Sequence, residues 1–331
     1  MKDTQGHRFV LGGAVAAFVL AACSGGTSTP SGATFASSPI AAYASGVTKH
    51  HDYQHSWSHV KPSLTKLLYV SDDVTDDVYI YAYPSGTLVA AITGFVMPSG
   101  LCVRQPGLIF VTDTGASDIK EYKFGGTNPI QTISDAGEYP VSCSVNPTTG
   151  RLAVANYETT SFGPGSISVY PPPYSTSTVY ADPTMQNFYF IGYRPNGRIF
   201  ADGINTAGAF QLDKLLPPTF SIITLAPAIT TPGNVQWSGT SLVVGDQTGN
   251  LFYRYTIAGL FGTAGPSSTF TGACDVLQFF VNGAGTKIVG PDSCGTPPNA
   301  DTYAFPAGGL PIPPSVTTPL GKPVGSAILN S

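Results

Sequence analysis

LLYVSD (Leu67–Asp72) is the first of six short apolar runs with an acid or an amide at or next to their last position. The others are LIFVTD (Leu108–Asp113), RLAVAN (Arg151–Asn156), RIFADG (Arg198–Gly203), SLVVGD (Ser241–Asp246) and KIVGPD (Lys287–Asp292). The acid or amide stands at 72, 113, 156, 202, 246 and 292, at intervals of 41, 43, 46, 44 and 46 residues. Self-similarity at such a period marks propeller blades or solenoid units. Charged residues make up 10% of the chain, against roughly 25% in ordinary soluble domains. Glycine (38) and proline (29) together form about a fifth of it, so turns are frequent and long helices are disfavoured.

Each unit carries four short β runs. A leading run precedes the repeat, as in PSGLCV (98–103), PVSCSV (140–145), NFYFIGY (187–193), PGNVQW (232–237) and CDVLQFF (274–280). An alternating run follows it, such as VYIYAY (78–83), DIKEYKF (118–124) or LFYRYT (251–256), and then a turn and a closing run such as TLVAAI (87–92). Four antiparallel strands per unit is the pattern of a propeller blade. The first unit lacks its leading run, and KPVGSAIL (322–329) at the far end of the chain matches the P-x-G leaders. The expected fold is therefore all-β, a six-bladed β-propeller in which the C-terminal strand completes the first blade.

With P-x-G leaders and G-[apolar]-[apolar]-V-x-D repeats, residues 62 to 331 resemble the six-bladed propellers of the NHL-repeat and gluconolactonase-like group. That resemblance implies a fold more than an activity. In the gluconolactonase-like members a divalent cation sits at the channel mouth, held by Glu, Asn and Asp, and activates a lactone for hydrolysis. Carried onto this chain, it implies Asn187, Asn234 and Asp275 as ligands of a Ca2+-type cation. The chain departs from the pattern at Pro323-Val324-Gly325, where the family places its Glu.

The leader reads as a secretion signal. Lys2 and Arg8 precede the apolar run FVLGGAVAAFVL (9–20), and Leu20-Ala21-Ala22-Cys23 resembles the lipobox of bacterial lipoproteins. The resemblance implies that Cys23 accepts the lipid, because its thiolate is the acylated group. Ser24 after it favours the outer membrane in a diderm cell. The expected organisation is a signal peptide over 1–23, a flexible tether over 24–60 and the propeller over 61–331, lipid-anchored in the cell envelope outside the cytoplasm.

The tether holds KHHDYQHSWSH (49–59), with His50, His51, His55 and His59. Three imidazoles would share a face if the stretch were helical, but Ser56, Trp57 and Ser58 are mediocre helix formers. The expectation is a tether without a specific metal site, with Trp57 packed on the first blade. Residues 60 to 331 contain no histidine, so His-based hydrolysis inside the propeller requires the tether to fold back. SDDVTDD (71–77) reads as a solvated loop that lacks the EF-hand Gly and Glu. The repeated Asp or Asn reads as a structural acceptor for turn amides two residues on.

After Cys23, four cysteines remain. Cys274 and Cys294 fall opposite each other about a turn centred at 284, at disulfide spacing. Cys102 and Cys143 lie on leading runs of adjacent blades, out of phase by one, so they either face each other across the blade gap or point apart. With a net charge of −4 and scattered Lys and Arg, the chain carries no footprint for nucleic acid.

These observations favour a non-catalytic binding or scaffold module with no cofactor, presenting loop aromatics such as Tyr139, Tyr157 and Tyr174 to a protein, glycan or small ligand. PPPY (171–174) reads as a stiff strand connection. The alternative, which rests on the resemblance, is the cation-dependent lactonase.

Overall fold

The computed structural model describes residues 55–331. Cys23, the signal peptide, His50 and His51 lie outside the described residues. Those described are almost wholly β: a single short 3-10 turn, Thr114–Ala116, is the one helical element among them. No described helix is long and apolar enough to cross a membrane.

The strands form six antiparallel meanders in chain order, distributed over five hydrogen-bonded sheets. Meanders 2, 3 and 6 are separate four-stranded sheets. Meanders 4 and 5 fuse into one nine-stranded sheet, because Thr224–Ala226 pairs in parallel with Phe261–Thr263 at their outer edges. Each of meanders 2 to 5 begins on an inner strand: Pro98–Arg104, Glu138–Val145, Met185–Tyr193 and Pro232–Ser238. Proline suits the first position of such a strand, where no ladder N–H is needed.

Meander 1 is completed from the other end of the chain. Pro323–Asn330 pairs antiparallel with Lys66–Asp72, from Lys66↔Asn330 through Leu68↔Ile328 to Asp72↔Pro323. The chain thus forms a β-propeller shut by its own tail.

The core lies between the meanders. Six apolar clusters each join two successive meanders. Strand alternation explains how. Leu67 and Tyr69 point into the cluster shared with meander 2, whereas Leu68 and Val70 point into the one shared with meander 6. Both faces are covered, so LLYVSD is buried from Leu67 to Asp72 and reads as a continuous apolar run. The cluster of Leu68, Val70, Tyr79, Tyr81, Val289, Ala300, Val316 and Ile328 joins the last meander to the first.

Three expectations change. The stretch assigned to a tether over 24–60 yields its last residues to the fold: Trp57–Ser58 adds an outer strand to meander 1 against Ala91 and Ala90, and His59 N–H donates to Val89 O at 2.7 Å. Trp57 and Ser58 are therefore extended, not helical, and Trp57 packs on meander 1 as expected. CDVLQFF does not form a full inner strand. Its ladder is reduced to Phe280–Val281 and a bridge from Val276 to Asp292. Gln278 pairs instead with the tail strand, its N–H donating to Val324 O while its C=O accepts from Ser326, both at 3.1 Å. Finally, the acids of SDDVTDD are not solvated: Asp72, Asp73, Asp76 and Asp77 are all buried, while Val74 is exposed. Asp72 accepts from the amides of its own turn and of the incoming tail, and Asp73 pairs with Lys322 at 3.2 Å.

If closure holds the ring, deleting residues 322–331 exposes the faces of meanders 1 and 6 together. The truncated chain is expected to lose its cooperative thermal transition and to bind a hydrophobic dye, as followed by calorimetry and ANS fluorescence. A transition as sharp and as high as that of the full chain would contradict this.

Candidate binding site at the propeller axis

The inner strands approach closely because glycine lets them. A Cβ on Gly100 would stand 2.6 Å from Val141 O of the next meander, and one on Gly325 would stand 2.6 Å from Ser99 O. At Gly325 the missing side chain also leaves room for Gln278. The buried Gln278 amide reaches past the tail strand to meander 2, accepting from Leu101 N–H at 2.7 Å and donating to Leu101 O at 2.9 Å.

Two other glutamines repeat this two-point stitch. Gln236 donates to Val281 O and accepts from Val281 N–H. Gln105 donates to Ile328 O and accepts from Asn330 N–H. Cys102 and Cys143 form a disulfide between the inner strands of meanders 2 and 3, with Cα atoms 5.5 Å apart, so they face each other across the gap. Cys274 and Cys294 are also bonded, with Cα atoms 5.8 Å apart, as the turn arithmetic predicts. In the loop-entropy account each bridge contributes about 3–4 kcal/mol.

Where the inner strands end, they surround a cavity of about 440 Å3. Its walls carry amides (Gln105, Asn234, Gln236, Gln278, Asn282) beside the aromatic rings of Tyr83, Tyr193, Trp237 and Phe280. Among the described lining residues there is no carboxylate and no imidazole, and Lys66 is the one cation.

The repeated acids sit at the opposite end, where inner strands begin. Asp113 Oδ1 accepts from Val96 and Met97, both at 2.9 Å, just before Pro98. Asp246 accepts from Thr230 and Thr231 before Pro232, and Asp72 Oδ2 accepts from Gly321 and Lys322 before Pro323. Asp292 does the same for Cys274 and Asp275. Asp202 accepts from Phe190 and from Gly233 of the next meander. The turn amides expected as partners are present at Val74 and Thr248, but the larger role is a clamp on the incoming strand. Asn156 is the exception, donating to Ser166 and Ser168, both at 3.0 Å.

The residues implied as cation ligands each make a hydrogen bond of their own. Asn187 donates to Tyr157 O at 2.9 Å, and Asn234 to Phe279 O at 2.5 Å. Asp275 accepts from the Ser293 hydroxyl at 2.6 Å. Of the three, Asn234 alone lines the axial cavity. Cys274, Asp292 and Cys294 cluster within 4.8 Å, but both sulfurs belong to the disulfide and offer no thiolate. The aromatics proposed as contact residues divide: Tyr139 is half-buried, while Tyr157 packs edge-on against Tyr189 and Tyr174 against Phe110. Tyr174 also donates to Gly150 O at 2.8 Å, which ties down the PPPY connection.

Three carboxyl groups are shifted strongly. Burial pushes Glu138 up to about 7, opposed by Ser166 and reinforced by Asp135. Burial likewise pushes Asp213 up to about 7, opposed by Gln211 and reinforced by the Asp182 carboxyl. Burial raises the Asp202 carboxyl well above its ordinary range against two amide donors.

No protein-family profile matches the chain, and no curated protein matches it. Among solved structures it is similar to a chain of a nidogen/laminin complex, with a TM-score of 0.63 at 13% identity over 80% of this chain and 98% of that one. It is also similar to a protein of unknown function from Bacteroides caccae, with a TM-score of 0.60 at 11% identity over 81% of this chain and 100% of that one. At these identities the likeness speaks for the β-propeller fold alone.

Two outcomes follow from the carboxylates. Asp202→Ala leaves the buried Phe190 and Gly233 amides without an acceptor and is expected to cost about 2–5 kcal/mol. Asp246→Ala is expected to cost less, because Thr230 and Thr248 are exposed and water replaces the carboxylate. Urea denaturation of both variants measures the difference, and equal costs would contradict the clamp's dependence on burial.

Glu138 and Asp213 keep their protons to about pH 7 when folded but ionise near 4.5 and 3.8 when unfolded. Within that window the folded chain binds more protons, so their contribution is fully present below the unfolded values and is lost as pH rises through about 7. The urea midpoint should therefore fall across this range, and the fall should flatten in Glu138→Gln/Asp213→Asn. A midpoint that rises with pH there would count against it.

Proposed function

We propose that this chain is a cell-envelope lipoprotein anchored through Cys23, whose six-bladed NHL-type propeller binds an uncharged polar ligand without catalysis. The observation that carries this reading is the lining of the axial cavity. Amides beside aromatic faces suit a neutral ligand with hydroxyls and apolar ring faces, for which a glycan is the best match. Each stitching glutamine retains a second N–H and a second lone pair for such a partner. General acid–base hydrolysis calls for titratable groups poised at the reacting atoms, and the lining offers no carboxylate or imidazole among the described residues. Two disulfides fit an oxidising compartment outside the cytoplasm.

The test combines calorimetric titration of neutral oligosaccharides with thermal shift in calcium. Binding of an oligosaccharide that weakens at least about tenfold in Trp237→Ala, equivalent to about 1.4 kcal/mol, supports the axial site. A calcium-dependent rise in melting temperature that Asp275→Ala abolishes would instead support the cation-dependent lactonase and overturn the non-catalytic reading.

A further inference from the structure

A second cavity, of about 210 Å3, is lined by Arg194, Arg198, Phe200, Lys214, Leu216, Ile257 and Gly259. Strand register explains how three cations come to share it. Arg194 and Arg198 face each other across a tight hairpin, with Arg194 N–H donating to Arg198 O at 2.8 Å. Phe200 is two residues beyond Arg198 on the same face, and Lys214 is its cross-strand partner. Ile257 and Gly259 of meander 5 form the opposite wall.

Like charges directly opposed on a sheet are destabilising, so this arrangement is costly without an anion between them. None of the lining residues is acidic. The ion pairs among the described residues use Lys120 and Lys322, and none uses Arg194, Arg198 or Lys214. Lys214 has one weak bond, to Gly259 O at 3.3 Å. Arg194 is held in place by stacking, its guanidinium 4.6 Å from the Trp237 ring centroid. Stacking uses the face of the guanidinium and leaves its edge N–H donors available to a partner. The site is thus an oriented arginine, a second arginine and a lysine around a space wide enough for a tetrahedral oxyanion, with an apolar wall of Phe200, Leu216 and Ile257.

We propose that this cleft binds a phosphoryl group. Three cations match a phosphate dianion better than a single carboxylate, and guanidinium edges pair with two phosphate oxygens at once. The apolar wall continues outward through the exposed Leu216, Leu260 and Phe261, so both a soluble ester and a lipid headgroup can present the phosphoryl group.

The test uses the full chain carrying Trp57→Phe, which leaves Trp237 as the one indole of the two in the sequence. Its emission is followed on titration with inorganic phosphate, with phosphatidylcholine vesicles containing phosphatidylglycerol, and with pure phosphatidylcholine vesicles. Saturable change with phosphate, weakened about tenfold or more in Arg198→Gln/Lys214→Gln, supports the site. A larger response to phosphatidylglycerol than to phosphatidylcholine, lost in the same variant, supports it with the lipid headgroup as a source. A response to phosphate alone supports it with a soluble source. Lys214→Glu alone carries the same test if the double variant melts early. No response to inorganic phosphate or to the phosphatidylglycerol vesicles, or a response that the variants leave unchanged, overturns the proposal.

Discussion

Pairing of Pro323–Asn330 with Lys66–Asp72 is the interaction on which the rest of the molecule depends. A row of meanders leaves one apolar face uncovered at each end. Closing the row covers both at once, and the buried cluster between meanders 6 and 1 is the result. The cost is the entropy of bringing two distant segments together, but that cost grows only by about 0.6 kcal/mol per doubling of loop length. Burying a single large apolar side chain contributes about 1.5–3 kcal/mol, so a few members of the cluster offset it. Gln278 adds a directional lock. Its backbone pairs with the tail and its side chain crosses to meander 2 through the space that Gly325 leaves.

The repeated Asp solves a problem created by the repeated Pro. An inner strand that starts on proline cannot use that residue's amide to begin a ladder. The two amides before it need an acceptor, and the Asp ending the neighbouring strand supplies one at Pro98, Pro232 and Pro323. Meander 3 varies the arrangement. Asn156 replaces the acid and donates to Ser166 and Ser168, while Asp135 enters from the preceding loop to accept from Ser168 and Tyr170. A buried carboxylate is thus retained there by another route.

The two cavities differ in chemistry although they lie side by side. The axial one is lined by amides and aromatics, while the cleft between meanders 4 and 5 gathers three cations. Trp237 belongs to both settings: it lines the axial cavity and supports the Arg194 guanidinium. The indole is itself held edge-on by Phe200.

Periodicity alone was enough to read the fold, because a propeller repeats the same local problem and answers it with the same residues. The spacing of LLYVSD and its copies, the missing first leader and the P-x-G tail together determined an all-β propeller and its closure. Turn arithmetic likewise determined Cys274–Cys294, since opposed positions in a hairpin are a local property. The sequence leaves Cys102–Cys143 open, because which way two out-of-phase side chains turn depends on how one sheet packs on the next. The same dependence hid the burial of SDDVTDD, the stitching glutamines and the cationic cleft. Arg194, Arg198 and Lys214 look scattered along the chain, and only the register of three strands and the wall of a neighbouring meander bring their charges into one space.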